Sequence, residues 1–291
     1  MSRLADAWHT GFFRRAMLEA VIVGLVAGAI GAHVLVRRLS FFVVAMSHAT
    51  FPGVVIAAAL GLGVSVGASA AGLVVVILVV VAGRRSDVAE STVTGVVLAG
   101  AFALGVVVQS ARAGGARQLT AFLVGSILTV NNTDLVVTIV VGAAALAIVV
   151  ALHKELVLSA FDRDGARAAG YRPLVLDLVA MVAVLMAMVV AIPAVGTLLA
   201  IALLVVPALT ARTITDRFVV AMVLGAVLGA VCGGIGLAVS TMWRVAAGAS
   251  VVLVSGAGFV VALVVRALID AVRRRAVVQS GELRSPVGSP A

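Results

Sequence analysis

The chain has 291 residues, of which 63% are hydrophobic and 11% charged, with a formal net charge of +9 and one cysteine, Cys232. A soluble domain carries roughly a quarter charged residues, so a water-exposed surface is excluded for most of this chain, and a single cysteine excludes a disulfide framework. The positive charge does not indicate nucleic-acid binding. The basic residues lie in short loops between apolar segments, which is typical of membrane proteins that follow the positive-inside rule.

Apolar segments long enough to cross a bilayer, about 20 residues each, predict an all-α, polytopic transmembrane helix bundle of about 8–9 spans. The expected spans are residues 17–36, 40–61, 64–83, 91–111, 134–153, 174–193, 196–211, 217–241 and 245–267. A shorter apolar segment, 118–130, is predicted to be re-entrant. We therefore expect an N-terminal interfacial segment at 1–16, a membrane domain at 17–268 and a disordered, Pro/Ser/Gly-rich cytoplasmic tail at 276–291.

Prolines and glycines occur at several points within these segments. Helix breaks are expected at Pro52, Gly53, Pro193, Gly196 and Pro207, because proline removes a backbone donor and glycine relaxes the backbone. Small residues also recur at helix-packing spacing, as Gly24/Gly28, Gly63/Gly67 and Gly225/Gly229/Gly233. This spacing lets helix backbones approach closely in lipid, so it predicts a compact bundle.

The distribution of Lys and Arg predicts the orientation of the bundle. If the 154–172 loop is cytoplasmic and segment 118–130 does not cross the membrane, most basic residues fall on the cytoplasmic side. In that orientation, Arg14 and Arg15 lie on the outer side of the membrane. If segment 118–130 does cross, the first four spans invert.

Charged residues also limit how such a protein is powered. Lys154, the only lysine, is not part of a GxxxxGK[ST] phosphate-binding loop, so the chain is not expected to hydrolyse ATP by itself. The carboxylates of Glu19, Asp134, Asp177 and Asp270 are predicted to lie at span ends, whereas proton-driven carriers keep acids at mid-membrane. These features favour a pore subunit powered by a partner over a self-powered carrier or an intramembrane enzyme.

One polar site stands inside an apolar segment. His48 follows Met46 and Ser47 and precedes Pro52 and Gly53. Neutral imidazole is the commonest metal ligand, and an ionisable residue inside the membrane suggests function by default. The alternative is a histidine hydrogen-bonded to neighbouring backbone within the bundle.

Four segments, in chain order, resemble the signature of zinc/manganese ABC transporter permeases. They are Arg37-Arg38-Leu39-Ser40 with Ser47-His48-Ala49 and Pro52-Gly53; Phe122-Leu123-Val124-Gly125-Ser126-Ile127-Leu128; Lys154-Glu155-Leu156 through Phe161-Asp162 and Ala166–Gly170; and Ala194-Val195-Gly196 through Leu203–Arg212. The resemblance covers about residues 14–268. It implies the permease subunit of an importer that works by alternating access as a homodimer in the cell membrane. It further implies a separate ATPase on the cytoplasmic face, an extracellular or periplasmic metal-binding protein, and no cofactor bound by this chain.

The departures from the family pattern bear on the metal. Two aspartates of the family fall on Val44 and Ser126 here. The resemblance implies a metal pathway that includes His48, Ser47, Met46 and Ser126. With fewer hard oxygen ligands and a retained imidazole, zinc is expected before manganese or iron. A related permease that carries a metal chelate, such as a siderophore or cobalamin, is the alternative.

The polar loop 154–173 is the longest insertion between spans, and its pattern predicts a short amphipathic helix that ends at a glycine. A solvated loop is the simpler interpretation. The resemblance implies instead a coupling helix that docks in a groove of the ATPase, with Phe161 as its buried anchor. The residues expected to take part are Phe161, Asp162, Arg163, Ala166, Arg167 and Gly170.

Overall fold

The computed structural model describes residues 10–83, 90–111 and 131–282, and within these ranges the regular elements are all α-helices. They are α1 (Gly11–Val36), α2 (Ser40–Ala49), α3 (Phe51–Ala59), α4 (Val64–Gly83), α5 (Glu90–Ser110), α6 (Asn132–Ala151), α7 (His153–Phe161), α8 (Arg163–Ala168), α9 (Pro173–Val195), α10 (Thr197–Ile214), α11 (Phe218–Trp243) and α12 (Ala247–Glu282). With α2 and α3 taken together, eight are long and apolar enough to cross a membrane, and α10 adds a shorter apolar helix. The all-α, polytopic prediction is confirmed.

The first helix begins earlier than the sequence indicated, and this corrects the placement of Glu19. Because α1 starts at Gly11, Glu19 lies about two turns inside the helix and is only 2% exposed. Its carboxylate accepts a hydrogen bond of 2.6 Å from the Thr138 hydroxyl on α6. The helix extends over Arg14, which is exposed, and over Arg15, which donates to the Asn132 side chain on α6.

Helix α1 is the centre of the bundle, and glycines set its closest contacts. A Cβ on Gly24 would overlap the carbonyl oxygen of Gly229, and one on Gly28 would overlap that of Gly225. These pairs hold α1 and α11 antiparallel with their backbones touching, which confirms the packing role predicted from the spacing. The same relationship joins Gly53 of α3 to Gly67 of α4, whereas a Cβ on Gly63 would meet no atom within 4 Å, so the packing role predicted for Gly63 was wrong.

Contacts between helix ends define two faces of the bundle. At one face, Arg37 at the end of α1 binds α7 and the start of α9, and Arg266 of α12 donates to the Thr213 carbonyl at the end of α10. The opposite face holds Arg15 near the start of α1 and Asn132 at the start of α6. Since the face that holds Arg37 carries most of the basic residues, the positive-inside rule assigns it to the cytoplasm.

Helix α5 runs parallel to α2 and α3, because its Gly95 lies by Phe41 and its Gly105 by Phe51. It therefore ends at Ser110 on the outer face, where α6 begins. The end of α5 and the start of α6, which flank segment 118–130 in the chain, therefore lie at the same face. This agrees with the orientation in which the segment does not cross the membrane. Segment 118–130, including Ser126, lies outside the described residues.

The predicted helix breaks have different outcomes. Pro52 lies in the first turn of α3. The boundary between α2 and α3 falls at Thr50, although the backbone dihedral angles of Thr50 are themselves helical. Pro193 and Pro207 lie inside α9 and α10, which continue past them, so the expectation that Pro207 breaks a helix was wrong. A membrane bundle tolerates an internal proline at the loss of one backbone hydrogen bond. The sharp break comes at Gly196, whose φ of 82° favours glycine.

At the chain's end, α12 continues to Glu282. It therefore enters the segment 276–291 that the sequence analysis assigned to a tail.

Candidate functional site

The predicted histidine lies on α2, half-buried against α5. The His48 imidazole packs edge-to-face on the Phe102 ring, with 5.9 Å between ring centroids. Met46 and Ser47 are fully buried, and the Ser47 hydroxyl donates a 2.7 Å hydrogen bond to the Val44 carbonyl of its own helix. Of these three side chains, His48 is therefore the one that remains accessible from outside the protomer's core.

An apolar cleft of about 620 Å³ between α3, α4 and α5 begins at Ala49, the residue after His48. Its lining includes Ala49, Pro52, Gly53, Ala71, Ala101 and Leu104. None of the lining side chains is a strong cation ligand. Along the chain, the residue nearest to the cleft lining that can bind a metal ion is His48. In the described part of the chain, no three His, Cys, Asp or Glu side chains come close enough to hold one. A metal at His48 would need further ligands from water or a second chain.

Val44 stands one helical turn before His48, and residues four apart share a helix face. Val44 is half-buried. The family resemblance implies an aspartate at this position, so an apolar side chain stands here in place of a potential oxygen ligand beside the imidazole.

The predicted coupling helix is two short helices, α7 and α8, joined at Asp162. The Asp162 side chain caps α8 by accepting a 2.8 Å hydrogen bond from the Gly165 N–H, and Gly170, at φ 85°, follows the end of α8. Ala166 is buried against the bundle, whereas Phe161 is 70% exposed. An exposed phenylalanine between two rigid helices on the cytoplasmic face is suited to insertion into a partner.

Arg37 holds α7 on the membrane domain. Its side chain is only 5% exposed, and it donates to the Asp177 carboxylate at 2.6 Å, to the Leu156 carbonyl at 2.7 Å and to the Ser159 hydroxyl at 2.8 Å. Asp177 also pairs with Arg163 of α8. One buried guanidinium therefore joins the end of α1 to α7 and to the start of α9.

Sequence reasoning missed this role of Arg37, which it named only as part of a family motif. The available signal was its place at the start of the motif that leads to His48. Beside it, a polar cleft of about 430 Å³ opens next to Phe161 and is lined in part by Arg37, Arg38 and Arg163.

Residues 9–266 match the model of a family described as "ABC 3 transport family". The chain belongs to the ABC 3 transport family. This membership confirms the family resemblance inferred from the motifs, and it makes the chain a multi-pass protein of the plasma membrane. The family is one of transport proteins rather than enzymes.

Individual relatives of this ABC 3 protein align over most of both chains. It is 33% identical over 251 residues to the manganese transport system membrane protein MntC of Halalkalibacterium halodurans, covering 86% of each chain. It is 35% identical over 248 residues to the zinc transport system membrane protein TroC of Treponema pallidum, covering 82% of this chain and 83% of the relative. The solved structure of PsaBC from Streptococcus pneumoniae in complex with Fab is similar, with a TM-score of 0.81, 31% identity, and coverage of 90% of this chain and 94% of that one.

Proposed function

We propose that this ABC 3 protein is the membrane-spanning permease subunit of an importer for divalent metal ions, driven by a separate ATPase. The observation that carries the proposal is His48, a half-buried imidazole within a membrane span that packs on Phe102 and stands at the motif position that the family resemblance assigns to the metal pathway. The names of its relatives, which include manganese and zinc transport proteins, support a free divalent ion as the substrate.

We propose zinc as the preferred ion, with manganese and iron next. Manganese favours carboxylate and carbonyl oxygen, whereas zinc binds imidazole well. With Val44 in place of an aspartate, the described part of the pathway offers an imidazole without an adjacent carboxylate. Metal transit requires only weak, transient contacts, so the loss of that carboxylate is compatible with transport.

Coupling to the ATPase is proposed to run through α7 and α8. A membrane protein without its own nucleotide site needs a rigid, exposed element through which a partner can move it. Phe161 supplies an exposed anchor, and Arg37 with Asp177 fixes the base of the element to the spans. Charged side chains on the same element would form its rim: Arg163 lines a cleft with Phe161, and Arg167 and Asp164 form an exposed ion pair at 2.6 Å.

Two copies of the chain are proposed to form the pathway, with a metal-binding protein delivering the ion from outside. The apolar cleft lies at the surface of one protomer, and only 11% of the residues in the apolar stretch of α5, which forms one wall, are buried. A second copy would close the cleft and supply further ligands. Alternating access would then expose the enclosed ion to each side in turn.

The test is uptake of ⁶⁵Zn²⁺ into proteoliposomes that contain the permease and its ATPase, with ATP on the ATPase side and the metal-binding protein on the opposite side. Replacing His48 by Ala should lower the uptake rate at least tenfold, while replacing the exposed Ser110 by Ala should leave it unchanged. ATP-dependent zinc uptake that survives His48→Ala intact would contradict the proposed pathway. Uptake without the ATPase would contradict the proposed class.

The chelate alternative has one observation in its favour, the width and apolar lining of the cleft. A metal chelate presents its organic shell to the transporter, so the imidazole would not touch the metal. If the chelate is the substrate, uptake of a ferric siderophore or cobalamin should occur and should be insensitive to His48→Ala, while free zinc should not be carried.

A further inference from the structure

Two histidines that the transport pathway does not use meet at the cytoplasmic face. His33 lies in the last turn of α1, and His153 is the first residue of coupling helix α7. Their ring centroids are 5.9 Å apart with the rings nearly perpendicular. Phe218, the first residue of α11, packs on both rings at 4.8 and 5.4 Å.

Each histidine has a ring nitrogen that the protein leaves unsatisfied. His33 is only 4% exposed, and its Nε2 atom is buried without a hydrogen-bond partner, as is the Nδ1 atom of His153. Buried polar atoms are nearly always hydrogen-bonded, because an unpaired one costs the desolvation free energy of the group. Two such atoms on adjacent imidazoles indicate a ligand that accepts electron pairs from both nitrogens.

The spacing of the rings fits a shared metal ion. With metal–nitrogen distances near 2.0–2.1 Å and a tetrahedral angle, two ligating imidazoles place their centroids about 5 Å apart. A small rotation about the side-chain bonds closes the difference from the observed separation. The nearby positive charge of Arg37 is offset by its hydrogen bond to Asp177.

We propose that His33 and His153 bind a divalent transition-metal ion that prefers imidazole, such as Zn²⁺, and that this ion clamps coupling helix α7 to span α1. No third His, Cys, Asp or Glu joins them within the described residues, so water completes the coordination. A site with two protein ligands binds reversibly. The half-exposed His153 gives the cytoplasm access to it, so the clamp responds to metal on the side to which an importer delivers it.

The site is tested by zinc binding to the full-length chain in lipid nanodiscs, with any affinity tag removed. His48→Ala forms the background, because it removes the proposed pathway ligand. In that background calorimetry with Zn²⁺ should detect one ion per chain, and Co²⁺ should show the visible absorption of a tetrahedral site. Adding His33→Phe or His153→Phe should abolish both signals, since phenylalanine preserves ring packing on Phe218 without a ligand atom. Adding His9→Ala is the matched control and should change neither.

A second measurement follows the proposed clamp in a chain that keeps both His33 and His153. In the His48→Ala chain, Zn²⁺ should slow hydrogen exchange of the amides in residues 153–161, and it should not do so after His33→Phe. The proposal is overturned if His48→Ala alone removes all zinc binding, or if both phenylalanine variants, folded by gel filtration, still bind zinc. The first of these results would leave the proposed transport function intact, because transport is judged by the effect of His48→Ala on uptake.

Discussion

Arg37 and Asp177 form an ion pair of 2.6 Å that joins the end of the first span to the start of α9, with the arginine side chain almost fully buried. The same guanidinium donates to the Leu156 carbonyl and the Ser159 hydroxyl of α7. The pair therefore connects two membrane spans with the element that is proposed to receive force from the ATPase. It also identifies a residue whose loss should uncouple transport without touching the metal pathway.

Replacing Arg37 by Gln should lower ATP-driven zinc uptake strongly and should lower stability by about 3 kcal/mol, as expected for breaking a buried ion pair. Thermal unfolding in detergent measures the second effect, and ATPase activity of the assembled transporter should become insensitive to substrate. The neighbouring Arg38, which is exposed, provides the control, and Arg38→Gln should change neither quantity. Equal effects of both variants would show that only surface charge matters.

Phe161→Ala should weaken binding of the ATPase by about 2 kcal/mol, roughly 30-fold, because an exposed aromatic residue that fills a partner's pocket contributes that much. Thermal stability of the permease alone should not change, since Phe161 is 70% exposed. Affinity is measured with the purified ATPase on nanodiscs. Trp243, 75% exposed at the opposite face, is the matched control. A similar loss with Trp243→Ala would argue against docking at Phe161.

Val44→Asp should shift metal preference from zinc towards manganese, because it places a carboxylate one turn before His48. The ratio of Mn²⁺ to Zn²⁺ uptake in competition is the measurement, and a rise of about tenfold is expected. Val44→Asn introduces a side chain of the same shape as aspartate without its charge, and it should leave the uptake ratio near that of the wild type. An unchanged ratio in the aspartate variant would place this position outside the pathway.

Gly28→Ala should destabilise the bundle by about 1–3 kcal/mol, since a methyl group there overlaps the Gly225 carbonyl oxygen and the helices must separate. At Gly258 of α12, by contrast, an added methyl group would meet no other atom within 4 Å. Gly258→Ala should therefore leave the unfolding temperature unchanged or slightly raised. The two variants differ only in tertiary contact, so equal unfolding temperatures would contradict the close α1–α11 packing.

Single cysteines should report the orientation of the helix ends. In a Cys232→Ala background, cysteines replacing Arg163 and Arg167 should react with a membrane-impermeant maleimide only after the cytoplasmic side is opened. Cysteines replacing Ser110 and Trp243 should react from outside. If Ser110 and Asn132 replacements were labelled from opposite sides, the segment between them would cross the membrane and the first four spans would be inverted.

The sequence alone was enough to predict the membrane bundle, its approximate spans and its family. These depend on properties that act locally along the chain. A charge-free stretch of 20 residues has few stable alternatives to a membrane helix, and the spacing of Gly24 and Gly28 already indicates a close helix partner. The four motifs identified the family together, because they keep their order and their separations along the chain.

Only the tertiary structure decided which polar groups act together. Glu19 appeared to lie at a span end, and its burial against Thr138 depends on a helix start that partners on α6 support. Arg37 and Asp177 are far apart in sequence, and so are His33 and His153, so no local pattern indicates that they meet. Such contacts are fixed by how the helices pack, because burial makes a polar group depend on whichever partner the fold places beside it.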